Sequence, residues 1–279
     1  MEVGSYLSHS QHRRKKRRKY IALAVLLVLL YLIVMGVFWF VYRSPVFHLQ
    51  QVVVTGNADV ASSDVVAVLQ SAALQQRSFL KELLGFQNIL LWPGSLTTSE
   101  LAFLPEAQSV SISKNYFFRT ITVDVTERTP AGVWCFTPRA DASGSSTSYG
   151  NENCYWFDGQ GTLFQKAFDT QGSLLLAVHD YSQTGLGIGA KILPDEFIPN
   201  MLSILNDVQA SGLDTREIAL DDISLEQINV TTQNGPSVYF SLRFSADEDL
   251  PVLKSLMAMP NFGKLQYVDF TVENRAYYK

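Results

Sequence analysis

Residues that carry chemistry are scarce in this chain. It holds two cysteines and four histidines in 279 residues, and only His48 and His179 stand beyond position 42. HExxH, CxxC and GxSxG are all absent from the sequence, so metal-dependent and triad hydrolases have no motif to start from. Two SxxK matches, Ser78 to Lys81 and Ser111 to Lys114, lack the KTG and SDN companions of the penicillin-binding enzymes, and the second lies in a predicted strand. "TGLGIGAK" departs from phosphate-loop spacing, with Ile192 where the hydroxyl residue should stand. His179 and Asp180 form a pair without a nucleophile and read as a surface turn. No repeat of fixed period and no series of barrel-length strands is present. The residues imply no enzyme, no cofactor and no metal.

Charge is missing altogether from Ile21 to Tyr42, a run of 22 residues. At 1.5 Å rise per residue such a helix spans about 33 Å, enough for a hydrocarbon core of about 30 Å. Seven basic residues, Arg13, Arg14, Lys15, Lys16, Arg17, Arg18 and Lys19, precede it, and only Arg43 follows closely. Three readings of the block compete: a nucleic-acid patch, the start of a cleavable export signal, and the inner flank of a membrane anchor. The apolar stretch exceeds the usual 7 to 15 residues of a signal and ends in bulky "FWFVYRSP", which favours the anchor. The positive-inside bias then makes the block a topology signal that keeps the N-terminus cytoplasmic, with Tyr31, Trp39 and Tyr42 as interfacial aromatics. Attraction to anionic lipid explains the block without invoking phosphate.

Beyond Tyr42 basic residues are again in the minority. That part carries 15 Lys and Arg against 25 Asp and Glu, a net −10, which argues against nucleic acid as its partner. Its length, about 237 residues, suffices for one large or two modest domains. Cys135 and Cys154 flank the polar stretch "RADASGSSTSYGNEN". In an oxidising compartment they could close it as a disulfide; a pair of buried or free thiols is the alternative.

"LQQVVVTGN" reads as a strand ended by Gly56 and Asn57, followed by a helix capped at Ser62 or Ser63 with Val65, Val66, Leu69 and Ala73 at helical spacing. "RSFLKELLGFQNILLWPGS" is apolar and broken, and a short helix "SELAFL" follows Thr97, Thr98 or Ser99. "SVSISK" and "TITVDVTE" alternate as the strands of a hairpin, with Ile121, Val123 and Val125 on one face. The order strand, helix, helix, strand, strand predicts an α+β module with a small three-stranded sheet.

After "ERTPAG" come the short strands "AGVWCF", "CYWFDGQGTLF" and "SLLLAV", then a helix "PDEFIPNMLSILNDVQASG" ended by Gly212. "EIALDD", a hairpin turning at Asn234 and Gly235, and a helix near "DEDLPVLKSLMAM" lead to the closing "KLQYVDFTVENRAYYK". There Val268, Phe270 and Val272 are expected on one face, and the strand is expected to end its sheet with a free edge.

The basic tail, single apolar helix, "FHLQQVVVTGN", "ISKNYFFRTITVDVTERTPAGVW", "DGQGTLF" and "LQYVDFTVENRAYYK" together resemble the FtsQ/DivIB family of bacterial cell-division proteins over residues 12 to 279. The pattern departs from the family in the closing strand, where Thr271 and Val272 replace a basic residue and an aromatic. The resemblance implies a basic cytoplasmic tail (1–20), a transmembrane helix (21–42), a domain like the polypeptide-transport-associated (POTRA) module with β-α-α-β-β order (45–128), and a β-rich C-terminal domain (129–279). It implies a non-catalytic, single-pass protein of the cytoplasmic membrane at the division septum. Its partners would be FtsB-like and FtsL-like single-pass proteins and other divisome membrane proteins, with no nucleic acid.

An extended partner segment could add to a sheet edge, and Tyr267, Phe270, Val272, Tyr277 and Tyr278 are the contacts expected there. For Phe270 and Val272 the alternative is a place in the core. Tyr116, Phe117 and Phe118, in the turn of the first hairpin, form a second expected contact surface, with packing against the following domain as the alternative. A POTRA-containing envelope protein that handles exported clients, or a membrane-anchored wall enzyme, are the rival functions.

Overall fold

The computed structural model describes residues 6–43, 47–75, 87–136, 153–167, 176–183 and 185–279. It is a mixed α+β protein with one apolar N-terminal helix and a β-rich C-terminal region. Helix α1 runs without a break from Tyr6 to Arg43, so the basic block expected as a separate tail is helical and continuous with the apolar run. Lys19–Phe40 is long and apolar enough to cross a membrane, and none of its side chains is buried by protein. The chain divides into two compact units, Met1–Thr55 with Val65–Leu96 and Ser111–Asp124, and Gly56–Asp64 with Thr97–Val110 and Val125–Lys279.

Strand β1 (Gln51–Thr55) stops at Gly56, whose φ of 78° lies in the left-handed region that glycine reaches without strain. Helix α2 (Ser62–Gln75) buries Val65, Leu69 and Ala73, the stripe its spacing predicts, with Val66 half-buried beside it. The four-residue helix α3 (Thr98–Leu101) starts in a capping box: the Thr97 hydroxyl accepts from the Glu100 N–H, and the Glu100 carboxylate accepts from the Thr97 N–H. Strands β2 (Ala107–Asn115) and β3 (Thr120–Glu127) complete a three-stranded sheet of order β1-β3-β2, with β1 parallel to β3. Ile121 and Val123 are fully buried from β3, as its alternation requires.

The second sheet has nine strands in the order β12-β11-β10-β9-β8-β7-β4-β5-β6. Its strands are β4 (Pro130–Phe136), β5 (Asn153–Asp158), β6 (Leu163–Lys166), β7 (Ala177–Asp180), β8 (Thr215–Leu220), β9 (Gln227–Thr232), β10 (Ser237–Ser241), β11 (Tyr267–Val272) and β12 (Arg275–Tyr278). The strand expected at "SLLLAV" sits later, at β7, and Ser173 to Leu175 lie outside the described residues. The same is true of "RSFLKELLG", of the Ser78–Lys81 match and of nearly all the segment between the cysteines.

One face of this sheet is covered by helices α4 (Ile198–Ser211) and α5 (Asp249–Met257). Ile198, Met201, Ile204, Leu205 and Val208 from α4 and Leu253 and Leu256 from α5 share one core with Val178, Ile218, Val230, Val238, Phe240, Val268 and Phe270. Helix α4 ends at Gly212, φ 72°, as its position in the sequence predicts.

The opposite face is for the most part half-buried. Strand register sets Tyr277, Asp269, Tyr239, Asn229, Ala219, His179, Cys135 and Cys154 in one row across eight strands. At the end of that row Cys135 and Cys154, directly opposite each other on β4 and β5, are joined in a disulfide.

Two buried acids hold this region. Asp158 pairs with Arg128 and accepts the Gln160 and Thr162 N–H groups. Asp180 accepts from Trp134 Nε1 and from the Ser182 and Gln183 N–H groups. Asp180 is fully buried, so the His179–Asp180 pair expected in a surface turn belongs instead to β7. Its carboxylate is a structural acceptor, the common fate of a buried charge with enough donors around it.

Candidate functional site

The final stretch contains two strands where the sequence suggests one. Glu273 and Asn274 form a tight turn, with Asn274 at φ 58°, and β12 folds back antiparallel on β11 with Val268 opposite Tyr278 and Asp269 opposite Tyr277. Strand β11 is therefore interior, parallel to β10 on its other side. The free edge expected on Tyr267–Val272 belongs to Arg275–Tyr278.

This relocation follows from hydrogen-bonding demand. A buried strand must satisfy both rows of its backbone groups, and β11 carries Val268 and Phe270 in the core, Phe270 only 1% exposed and stacked on Phe240 with ring centroids 5.4 Å apart. Covering its outer row with β12 meets that demand. A bulge between Asp269 and Val272 breaks the alternation, so Val272 turns out to solvent although Val268 and Phe270 point inward.

The five C-terminal positions expected to touch a partner divide accordingly. Phe270 is in the core, Tyr267 is half-buried on the interior strand, and Val272, Tyr277 and Tyr278 are exposed. Opposed residues of an antiparallel pair share a face. Tyr278 thus stands on the helix-covered side with Val268, and Tyr277 on the opposite side with Asp269. Arg275, which the sequence reading passed over, donates to the Tyr277 hydroxyl at 3.3 Å and adds a cation to the edge. The signal for it was the Glu-Asn pair, with Asn suited to a left-handed turn position.

Backbone polarity along β12 is set by the residue that follows it. Lys279 donates its N–H to Tyr267 O and accepts from Gln266 N, so it faces β11. Hydrogen bonding alternates along a strand, which turns the Ala276 and Tyr278 backbone groups outward, where no described residue pairs with them.

The second expected surface is at the β2–β3 turn. Phe117 is 86% and Phe118 64% exposed, Tyr116 is exposed too, and the two Phe rings meet edge to face at 5.2 Å. Lys114, the lysine of the second SxxK match, is half-buried and donates to the Trp92 carbonyl; burial lowers its pKa. Lys191, at the end of the glycine-rich stretch, donates to Gln160 O and pairs with Asp195 at 3.0 Å.

Two acids on the helical layer are perturbed. Burial, with the Asp247 charge adding and Lys254 opposing, pushes Asp207 up to about 6. Burial, then the Asp207 and Glu248 charges, pushes Asp249 up to about 7. Among the described residues no group of three or more His, Cys, Asp or Glu could hold a metal ion. No protein-family model and no curated protein matches the chain.

Proposed function

We propose that this protein is a non-catalytic, single-pass membrane scaffold of the bacterial divisome, which binds and couples FtsB-like and FtsL-like septal proteins by strand addition at β12. The observation that carries the reading is the open edge of the nine-stranded sheet: a strand with its outer backbone row unpaired and Tyr277 and Tyr278 exposed beside it. An extended partner segment would gain main-chain hydrogen bonds there, while alternate side chains select the partner.

The first module is read as POTRA-like, supported by the order β1, α2, α3, β2, β3 and the sheet order β1-β3-β2. The basic block Arg13–Lys19 at the head of α1 supports a cytoplasmic N-terminus, with both sheets and the division-site partners on the far side of the membrane. A disulfide at Cys135–Cys154 suits that oxidising side.

The test is capture of FtsB-like and FtsL-like proteins by the full chain in detergent. A chain ending at Asn274 removes β12 alone, whereas a cut before Tyr267 would also remove the interior strand. The Tyr278→Pro variant removes one outward N–H and leaves the β11–β12 ladder intact. Binding by the intact chain and its loss in both variants, with cooperative melting preserved, is the expected result. Undiminished binding by both folded variants would show that the partner uses another surface.

A further inference from the structure

The aromatic tip of the β2–β3 hairpin is tied to the end of the apolar helix by a short series of contacts within one compact unit. Phe47 sets its ring edge-on to Phe40, the last residue of the apolar span, at 6.5 Å. Three residues further, the Gln50 N–H donates to the Arg119 carbonyl at 2.9 Å. Gln51 then pairs with Thr120 as β1 runs parallel to β3. Because β1 and β3 run the same way, the start of β3, and with it the turn at 116–119, lies at the end of the sheet where the chain leaves the helix. Three residues reach at most about 10 Å, of the same order as the roughly 5–7 Å interfacial layer on one side of a bilayer.

The tip is built for a poorly hydrated layer. The Asn115 side-chain oxygen accepts the N–H groups of Phe117 at 3.1 Å and Phe118 at 3.0 Å. Thr120 donates its hydroxyl to the Phe118 carbonyl at 3.1 Å. Two N–H groups and one carbonyl of the tip are thus satisfied within the turn, which lowers their demand for water in the way a lipid-facing backbone requires. Outward it offers two exposed phenylalanines and a tyrosine, with Arg119 next in the chain.

From this geometry we infer that Tyr116, Phe117 and Phe118 dip into the headgroup region of the same bilayer that α1 crosses, giving the first module a second, reversible attachment to lipid. The inference rests on the reading that α1 spans a membrane. It changes the role of the tip from protein contact to membrane contact and gives the small sheet a defined height above the bilayer.

The test uses the full chain in vesicles of phosphatidylcholine and phosphatidylglycerol, with Phe117→Cys carrying a nitroxide label; Cys135 and Cys154 are bonded to each other and take none. Oxygen concentrates in lipid and a neutral nickel chelate in water, so the ratio of their collision rates reports depth. Labels at Leu30→Cys, within the span, and Asp195→Cys, exposed to water, mark the two limits. The expected oxygen-to-nickel ratio at Phe117→Cys is several-fold above that at Asp195→Cys, falling to the aqueous value when Phe118→Glu is added. A ratio equal to the aqueous marker, or shielding from both reagents by a protein surface, overturns the inference while Leu30→Cys still reads as lipid. If Leu30→Cys itself reads as water, the premise of a spanning helix fails and the inference with it.

Discussion

At one edge of the nine-stranded sheet the chain pairs with itself: Leu163, the first residue of β6, donates to Ala190 O and accepts from Gly189 N, and Gly161 accepts from Ile192 N. At the other edge β12 meets no described residue on its outer side. The covered edge is also braced, by the Arg128–Asp158 pair, the Gly161 turn against Ile198 and the Cys135–Cys154 bond. The open edge carries four residues, two exposed tyrosines and no buried brace. Proteins ordinarily blunt a free strand because it templates further pairing. On the β6 side Leu163 gains outer partners in this way, whereas no residue of β12 does, so β12 is the barer edge of this sheet. Stability is therefore expected to respond at the β6 side and binding at the β12 side.

The largest loss is expected for Arg128→Ala. It strands the buried Asp158 charge, a defect worth about 3–5 kcal/mol, measurable by chemical denaturation, with partner capture kept by the molecules that remain folded. Opening the disulfide with Cys135→Ser and Cys154→Ser together frees a closure between residues 19 apart, costing about 3 kcal/mol in the loop-entropy account and leaving the β12 edge unchanged.

Gly161→Ala tests the turn itself. Its φ is 72° and a Cβ would meet Ile198 Cδ1 at 2.2 Å, so a loss of about 2 kcal/mol is expected from strain and crowding together. An unchanged melting temperature would show that the covered edge does not depend on this contact.

The acid pair behind the sheet provides a control on neither edge. Asp207 and Asp249 have folded pKa values of about 6 and about 7, above their ordinary value of 3.8. At these two groups the folded state binds protons more tightly than the unfolded chain, so the stability they contribute is full below about pH 4 and declines as pH rises through 6 to 7. With allowance for solvent screening the decline is on the order of 1 kcal/mol. Asp207→Asn is expected to flatten it in melts between pH 5 and 8; a slope unchanged by that substitution would assign the response to other groups.

The smallest stability effect is expected for Tyr278→Ala, within about 0.5 kcal/mol because the side chain lies exposed on the rim. Its effect on partner capture should nonetheless exceed that of any substitution at the β6 edge. The reverse ranking would break the comparison.

Much of this was legible locally. Alternating Ile121, Val123 and Val125, the α2 stripe, Gly212 at the end of α4 and the turn at Asn234 and Gly235 all act within a few residues, and each falls inside or beside the element it predicts. The candidate edge was only half legible. The sequence suggests one closing strand where Glu273 and Asn274 make a turn; of the two residues for which it leaves a place in the core open, Phe270 takes it and Val272 does not. Arg128 and Asp158 are 30 residues apart, and no periodicity connects them.

Sequence alone determined the uncharged run from Ile21 to Tyr42, because length and apolarity in one unbroken segment decide whether it can span a bilayer without reference to any other part of the chain. It also determined the period of most strands, since side-chain alternation is intrinsic to an extended backbone. Only the tertiary structure decided which strand ends the sheet, which edge the chain covers for itself, and that the phenylalanine tip lies beside the exit from the helix. Each of these depends on pairing between segments distant in sequence, where one turn or bulge changes which backbone groups and which faces remain exposed.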